Sequence, residues 1–347
     1  MLVDSPPEPR ADAVPAPPTR RAIRSLGLLV SVVILAFIAL ASIAIGAKGL
    51  SPAQVWHGLF HDSGTYADVV VGDRLSRTVL GLLAGAALGL AGAVLQALTR
   101  NPLADPGLLG INAGASAAVV TAITYFGVTS LSGYVWFAFL GAAAVGALVW
   151  FLGGSRGATP VRLALAGTAI SAALYGYLQA VMIMDDAALG KMRFWTVGSL
   201  ASATDATIRQ VLPFLLAGTV LALALARPLN AVAMGDDTAR ALGAHLGRTR
   251  ALSMAAATVL CGAATAACGP IVFVGLMVPH AVRSFTGPDL RWILPYATVL
   301  SPVLLLGADV VGRVVARPAE LQVGIVTALL GGPVFIFLVR RRRTARL

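Results

Sequence analysis

Residues 251–282 read ALSMAAATVLCGAATAACGPIVFVGLMVPHAV, a run with no charged side chain. Roughly 20 apolar residues cross a bilayer as a helix, so this stretch is too long for one crossing and barely long enough for two. Gly269-Pro270 divides it, because a proline inside a helix removes a backbone donor and clashes with the preceding turn. The run is therefore expected to hold two membrane segments, the second short. Outward from it, further charge-free runs occupy 25–47, 78–99, 106–155, 163–184, 210–226, 292–308 and 321–339. The 106–155 run is again too long and breaks at Gly127 to Gly133. The expected fold class is an all-α integral membrane protein with about ten transmembrane helices.

Composition agrees. The 347 residues are 58% hydrophobic and only 12% charged, where a soluble domain carries about 25% charged residues. Thirty-seven glycines with 7% aromatics suit close-packed helices rather than a lipid-facing barrel of short alternating strands. Cys261 and Cys268 both lie in the 251–282 run, so neither a disulfide framework nor a cysteine metal site is expected.

Charge placement tests the count. With both termini cytoplasmic, the inside cations are Arg10, Arg20, Arg21, Arg24, Arg100, Arg156, Arg162, Arg227, Arg240, Arg248, Arg250, Arg283, Arg291, Arg340 to Arg343 and Arg346. The outside set is smaller: Lys48, Arg74, Arg77, Lys191, Arg193, Arg209, Arg313 and Arg317. That asymmetry follows the positive-inside rule, whereas one unbroken span over 251–282 would put the Arg340–Arg343 cluster outside. The net charge of +11 is then mainly a topology signal, and nucleic acid is not an expected partner. Residues 1–24 are Pro-rich and polar, which predicts a disordered cytoplasmic arm. The transmembrane body is expected to span 25–340, and 341–347 to be a basic cytoplasmic tail. The 25–47 run exceeds the 7–15 residues of a signal-peptide core and is expected to remain as the first span.

Several motifs admit a structural and a functional reading. Gly81, Gly85 and Gly89 form a small-residue stripe for close helix approach. Asp105 before Pro106 is expected to cap the third span. The largest cytoplasmic loop, 227–250, contains Gly235, Asp236, Asp237, Arg240, Leu242 and Gly243, the pattern of a short capped helix that either hands force to a soluble motor or simply connects two spans. Asp309 and Arg313, spaced i, i+4, either pair on one helix face or join Arg74 and Arg77 in a basic outer rim that docks an acidic partner. His57, His61 and Asp62 are compatible with a metal site, but no third strong ligand stands nearby and an exposed helix turn is the simpler reading. His280 after Pro279 reads as packing rather than a proton relay. No G-x-x-x-x-G-K-[ST] occurs, so ATP is not expected to bind this chain through a P-loop.

From Arg74 to Leu338 the chain resembles the permease subunits of ATP-binding-cassette importers for ferric siderophores, haem and cobalamin. The matching stretches are Arg74-Leu75-Ser76-Arg77, the Gln96–Gly114 block with NPLADPGLLG, Trp195 to Leu200, Gly235-Asp236 with Leu242-Gly243, GPIVFVGLMVPH from Gly269 to His280, Asp309 with Arg313, Glu320-Leu321 and Gly331-Gly332-Pro333. The resemblance implies a second permease subunit, identical or a sister chain, two ATPase subunits that hold ATP and Mg, an extracytoplasmic binding protein, and an iron-siderophore-type ligand, in the cytoplasmic membrane. This chain itself is then non-catalytic and holds no cofactor or metal. It further implies that Arg74, Arg77 and Arg313 dock the binding protein, that 236–243 seats in the ATPase, and that Asn101, Leu103 and Thr159 narrow the cytoplasmic exit. Ser76 and Gln322 stand where the family usually has proline, which implies a less constrained outer backbone there.

A self-contained transporter driven by a proton or ion gradient is the alternative. It needs an ionisable group at mid-membrane, and the candidates Asp309 and His280 both fall near span ends.

Overall fold

The computed structural model describes residues 20–61, 64–128, 130–154 and 160–344. The first helix, α1 (Arg20–Ala44), is followed by a short α2 (Pro52–Phe60) and the longest element, α3 (Tyr66–Leu98). A 3-10 turn (Pro106–Leu109) leads into α4 (Ile111–Phe126), α5 (Leu131–Gly154) and α6 (Pro160–Met184). Then come α7 (Asp186–Trp195), α8 (Asp205–Ala224), and two short helices, α9 (Ala226–Ala233) and α10 (Asp236–Ala241). The chain closes with α11 (Leu246–Cys268), α12 (Val274–Thr286), α13 (Leu290–Val315) and α14 (Val323–Thr344). Seven of these, α1, α3, α5, α6, α8, α11 and α13, are long and apolar enough to cross a membrane. The chain is thus a multi-pass membrane protein, helical throughout with no strand among the described residues.

Both breaks expected from glycine and proline are present: α4 ends before Gly127, and α11 ends before Gly269. The apolar α4, the 323–337 part of α14 and the 13-residue α12 account for the remaining charge-free runs. The loop between α11 and α12 is non-helical, with Gly269 at φ 73° and Phe273 at φ 70°. Such backbone survives at membrane depth only inside protein, where its polar groups find partners. Here Ser199 N–H donates to the Cys268 carbonyl at 2.7 Å and Gly324 N–H to the Gly198 carbonyl at 3.1 Å, so the Trp195 to Leu200 motif serves as a brace for the break.

At the centre stand α3 and α11, with 78% and 72% of their most apolar stretches buried, against 17% for α1 and α6. Small residues make that centre possible, since helices in lipid associate through close van der Waals contact. Gly81, Gly85 and Gly89 face Leu306, Pro302 and Ser301 of α13, and Gly92 lies against Gly275 of α12. A side chain at Gly85 would put its Cβ 2.6 Å from the Pro302 Cα, a backbone atom that cannot swing aside. Gly85→Leu is therefore expected to force α3 and α13 apart and cost at least the usual 1–3 kcal/mol of overpacking, read as a lower melting temperature in detergent. Gly72, on the same helix with open space around it, should accept alanine without loss; an unchanged melt for Gly85→Leu would refute the close approach.

Four sequence expectations change. Residues 20–24 belong to α1 and 341–344 to α14, so the arm and tail are shorter than composition suggested; residues 1–19 and 345–347 lie outside the described residues. Asp105 does cap, accepting Gly107 N–H at 2.8 Å, but it caps the 3-10 turn, and the left-handed Gly110 separates that turn from α4. Residues 227–250 hold the short helix expected there, α10, but also most of α9 and the start of α11. At Ser76 the helix α3 runs on without interruption, and the hydroxyl donates to Asp205 Oδ1 at 2.8 Å, fastening α3 to the start of α8 instead of loosening the outer backbone.

Candidate functional site

The chemistry-bearing residues gather at the two ends of the bundle. At the end that the charge bias assigns to the outside, α3 begins twelve residues before its charge-free run; its 33 residues span about 50 Å at 1.5 Å each. Arg74 and Arg77 therefore sit on a continuous helix wedged between α1 and α13, and they are 6% and 8% exposed; Arg313 is 1% exposed. The exposed basic rim expected of these three is not what forms. Each is drawn inward by acceptors that would otherwise be stranded, since buried polar groups must be paired.

Arg74 Nη1 donates to the carbonyls of Ile43 and Ala44 at 3.1 and 3.0 Å, and its Nη2 to that of Lys48 at 2.6 Å, closing the open end of α1. Arg77 donates through Nε and Nη2 to Asp309 at 2.7 to 3.2 Å and through Nη1 to Glu320 at 2.6 Å. Arg313 pairs with Asp309 at 3.1 Å, as the i, i+4 spacing allowed, and also reaches the Ser42 carbonyl and hydroxyl at 2.9 Å. Its Nε, also buried, has no hydrogen-bond partner. Over this network lies a depression of about 560 Å³ with the three arginines in its lining, bordered by Lys48, Tyr66, Asp73 and Glu320.

The opposite end holds the Asn101–Ala104 turn and the short helices. Asn101 Oδ1 accepts Leu103 N–H at 3.0 Å, and Ala104 N–H returns to the Asn101 carbonyl at 3.0 Å, so 101–104 is a tight turn. Asn101, Thr99 and Asp105 face Val161, Ala164, Leu165 and Thr168 of α6 across a cavity of about 450 Å³. Leu103, within that turn, is half-buried, and Thr159 lies outside the described residues.

α10 is preceded by Gly235 (φ 115°) and, after Leu242, followed by Gly243 (φ 79°), conformations that favour glycine. Contrary to the capped-helix expectation, no side chain caps it. Asp236 instead pairs with Arg100 and, at 2.8 Å, with Arg250. Burial opposes ionisation of Asp236, but the hydrogen bonds from Arg100 and Arg250 outweigh it and hold the carboxyl below its ordinary range. Asp237 and Arg240 pair at 2.9 Å in full solvent, an arrangement worth little. Ala239 packs with Val232 and Leu246 in a cluster of its own, while Met234 and Leu242 are 59% and 62% exposed. Asn230 of α9 donates to Asp289 at 2.7 Å and accepts Leu290 N–H at 2.9 Å, tying the short helices to α13. Asp289 is held at a pKa of about 2, chiefly by hydrogen bonding to Arg291.

Among the described residues no group of three metal-ligating side chains converges. His57 and His61 stack at the end of α2, which Ser51 and Gln54 cap as a regular turn. Among the described residues, the buried charges Asp68, Arg74, Arg77, Asp309 and Arg313 all lie toward the same end of α3 and α13, the end that the charge bias assigns to the outside. Sequence reasoning missed Arg100, which it counted only as an inside charge. The available signal was its position between a helix end and the Asn101-Pro102 turn, directly before Asn101.

The sequence model of the FecCD transport family matches residues 34–341. The ferric enterobactin transport system permease protein FepD of Escherichia coli is 48% identical over 93% of this chain and 96% of its own. The hemin transport system permease protein HmuU of Yersinia pestis is 37% identical over 92% and 96%. A solved structure described as an inward-facing conformation of a metal-chelate type ABC transporter superposes with a TM-score of 0.80 at 28% identity, covering 91% of this chain and 99% of that one.

Proposed function

Since this chain belongs to the FecCD transport family and is a permease subunit of the ATP-binding-cassette importer class, we propose that its cargo is a ferric siderophore. The observation that carries this reading is the 48% identity, nearly end to end, to a ferric enterobactin permease. In the proposed assembly the chain crosses the cytoplasmic membrane ten times with both termini inside. It pairs with a second permease, either another copy or a sister chain, above two ATPase subunits that hold ATP and Mg. The exposed faces of Met234 and Leu242 on either side of α10 suit the ATPase seat, because apolar anchors buried at the centre of an interface contribute most of its affinity. Asn101 and Leu103, with the Thr159 loop, narrow the exit beneath the pathway. The chain itself performs no catalysis. Uptake of ferric enterobactin, hemin and ferric citrate into proteoliposomes holding permease, ATPase and binding protein tests the reading. Ferric enterobactin is expected to enter only with ATP and the binding protein; hemin transport alone, or uptake that follows a proton gradient without the ATPase, refutes it.

The outer depression is the proposed seat of the binding protein. Arg74, Arg77 and Arg313 act there as its cationic floor rather than as a rim, and Glu320 already occupies Arg77 Nη1. An incoming carboxylate must displace it. Glu320→Gln removes the competing charge, so association of the binding protein at low salt is expected to become tighter, as seen by surface binding to permease in nanodiscs. Equal or weaker association would show that the partner does not reach Arg77.

A further inference from the structure

Arg100 follows the last residue of α3's cap, Thr99, and holds φ at 50°, a left-handed conformation unusual for a residue with a side chain. In that conformation its Nε donates to the Val232 carbonyl of α9 at 2.9 Å while its Nη2 pairs with Asp236 of α10. One side chain thus grips both short helices. Its backbone continues directly into Asn101, whose side chain and carbonyl lock the 101–104 turn and whose side of the turn lines the 450 Å³ cavity. The path from the exposed helix to the exit is therefore one residue long and does not pass through the packed core. The Arg100–Asp236 pair is about one-third exposed on both sides, so it adds little to stability. Strained backbone persists where the surroundings enforce it, and it concentrates at sites that switch. A bidentate guanidinium also fixes direction as well as distance, which an ammonium does not.

We infer that Arg100 is a positioning residue that transmits displacement of α10 to the Asn101–Ala104 turn, so that ATPase motion sets the width of the cytoplasmic exit. This rests on the reading of α10 as the ATPase seat and of Asn101 as an exit residue. When α10 moves, Arg100 moves with Val232 and Asp236, and the rigid turn follows as a lever.

The test uses the complete importer in proteoliposomes and measures ligand transported per ATP hydrolysed, together with ATPase retention on the permease. Arg100→Ala is expected to keep ATPase retention and hydrolysis but lower the transport-to-hydrolysis ratio at least tenfold. Arg100→Lys, which restores one contact, is expected to fall between Arg100→Ala and the parent. Arg248→Ala removes an exposed cation from the first turn of α11 and should leave the ratio unchanged. An unchanged ratio in Arg100→Ala, or a fall in hydrolysis that matches the fall in transport, overturns the inference. If Arg100→Ala accumulates poorly, Arg100→Gln is read by the same ratio. Failure of the underlying seat is separable: Leu242→Asp would then retain the ATPase fully, whatever Arg100 does.

Discussion

Asp309→Ala is expected to unfold the permease under conditions that leave the parent intact. Asp309 is fully buried and is the common acceptor for Arg77 and Arg313. Without it, Arg313 keeps only the oxygens of Ser42, and Arg77 keeps only Glu320, which is itself partly exposed. Taking one partner out of a buried pair leaves an uncompensated charge and costs about 3–5 kcal/mol, a large share of the 5–15 kcal/mol that a folded protein typically has in reserve. Three helices loosen together, because Arg313 and Arg74 hold the end of α1 and Arg77 holds α3 to α13. The melting temperature and the monodisperse yield in detergent report the loss. Asp237→Ala, which breaks only a solvent-exposed pair, is expected to shift the melt by no more than a surface ion pair's 0–1 kcal/mol. A parental melt for Asp309→Ala would mean that the cluster is solvated and that its geometry is misread.

The parts of this fold that local rules govern were legible in the residues. Gly269-Pro270 and Gly127 break helices because their backbones do, and the i, i+4 pair of Asp309 and Arg313 formed as its spacing allowed. The stripe of Gly81, Gly85 and Gly89 announced a close neighbour, although only the structure identifies it as α13. What stayed hidden is long-range. Arg77 and Asp309 are 232 positions apart and Arg100 and Asp236 are 136 apart, and no periodicity couples such residues. The sequence therefore showed arginines near a membrane end and suggested a rim. The unpaired carbonyls of α1 and the buried carboxylate of Asp309 turned them inward. The same blindness applied to Ser76, whose partner Asp205 is the first residue of another helix.

Leu242→Asp is expected to abolish uptake while the permease still folds. Leu242 ends α10 with its side chain 62% exposed, next to the left-handed Gly243, and Met234 stands 59% exposed at the other end. Exposed apolar side chains at both ends of a short helix that the charge bias places on the cytoplasmic side make no packing contribution within this chain, and they suit insertion into a partner's cleft. The cluster of Val232, Ala239 and Leu246 beneath them is separate from the membrane core, so damage there does not spread into the bundle. Losing an anchor of hot-spot rank costs 2 kcal/mol or more, about 30-fold in affinity, and burying a new carboxylate without a partner adds to that loss. Gly243→Val acts on the same element by another route. It meets no neighbour, yet a β-branched residue at positive φ is a steric outlier whose strain of about 1–3 kcal/mol is relieved by turning α10 away from the proposed ATPase seat. Co-purification of the ATPase and ATP-driven uptake should therefore fall together in both variants. Gly247→Ala, also in open space but at an ordinary φ, should behave as the parent. Full ATPase retention with parental uptake in Leu242→Asp would show that α10 is only a connection between two spans.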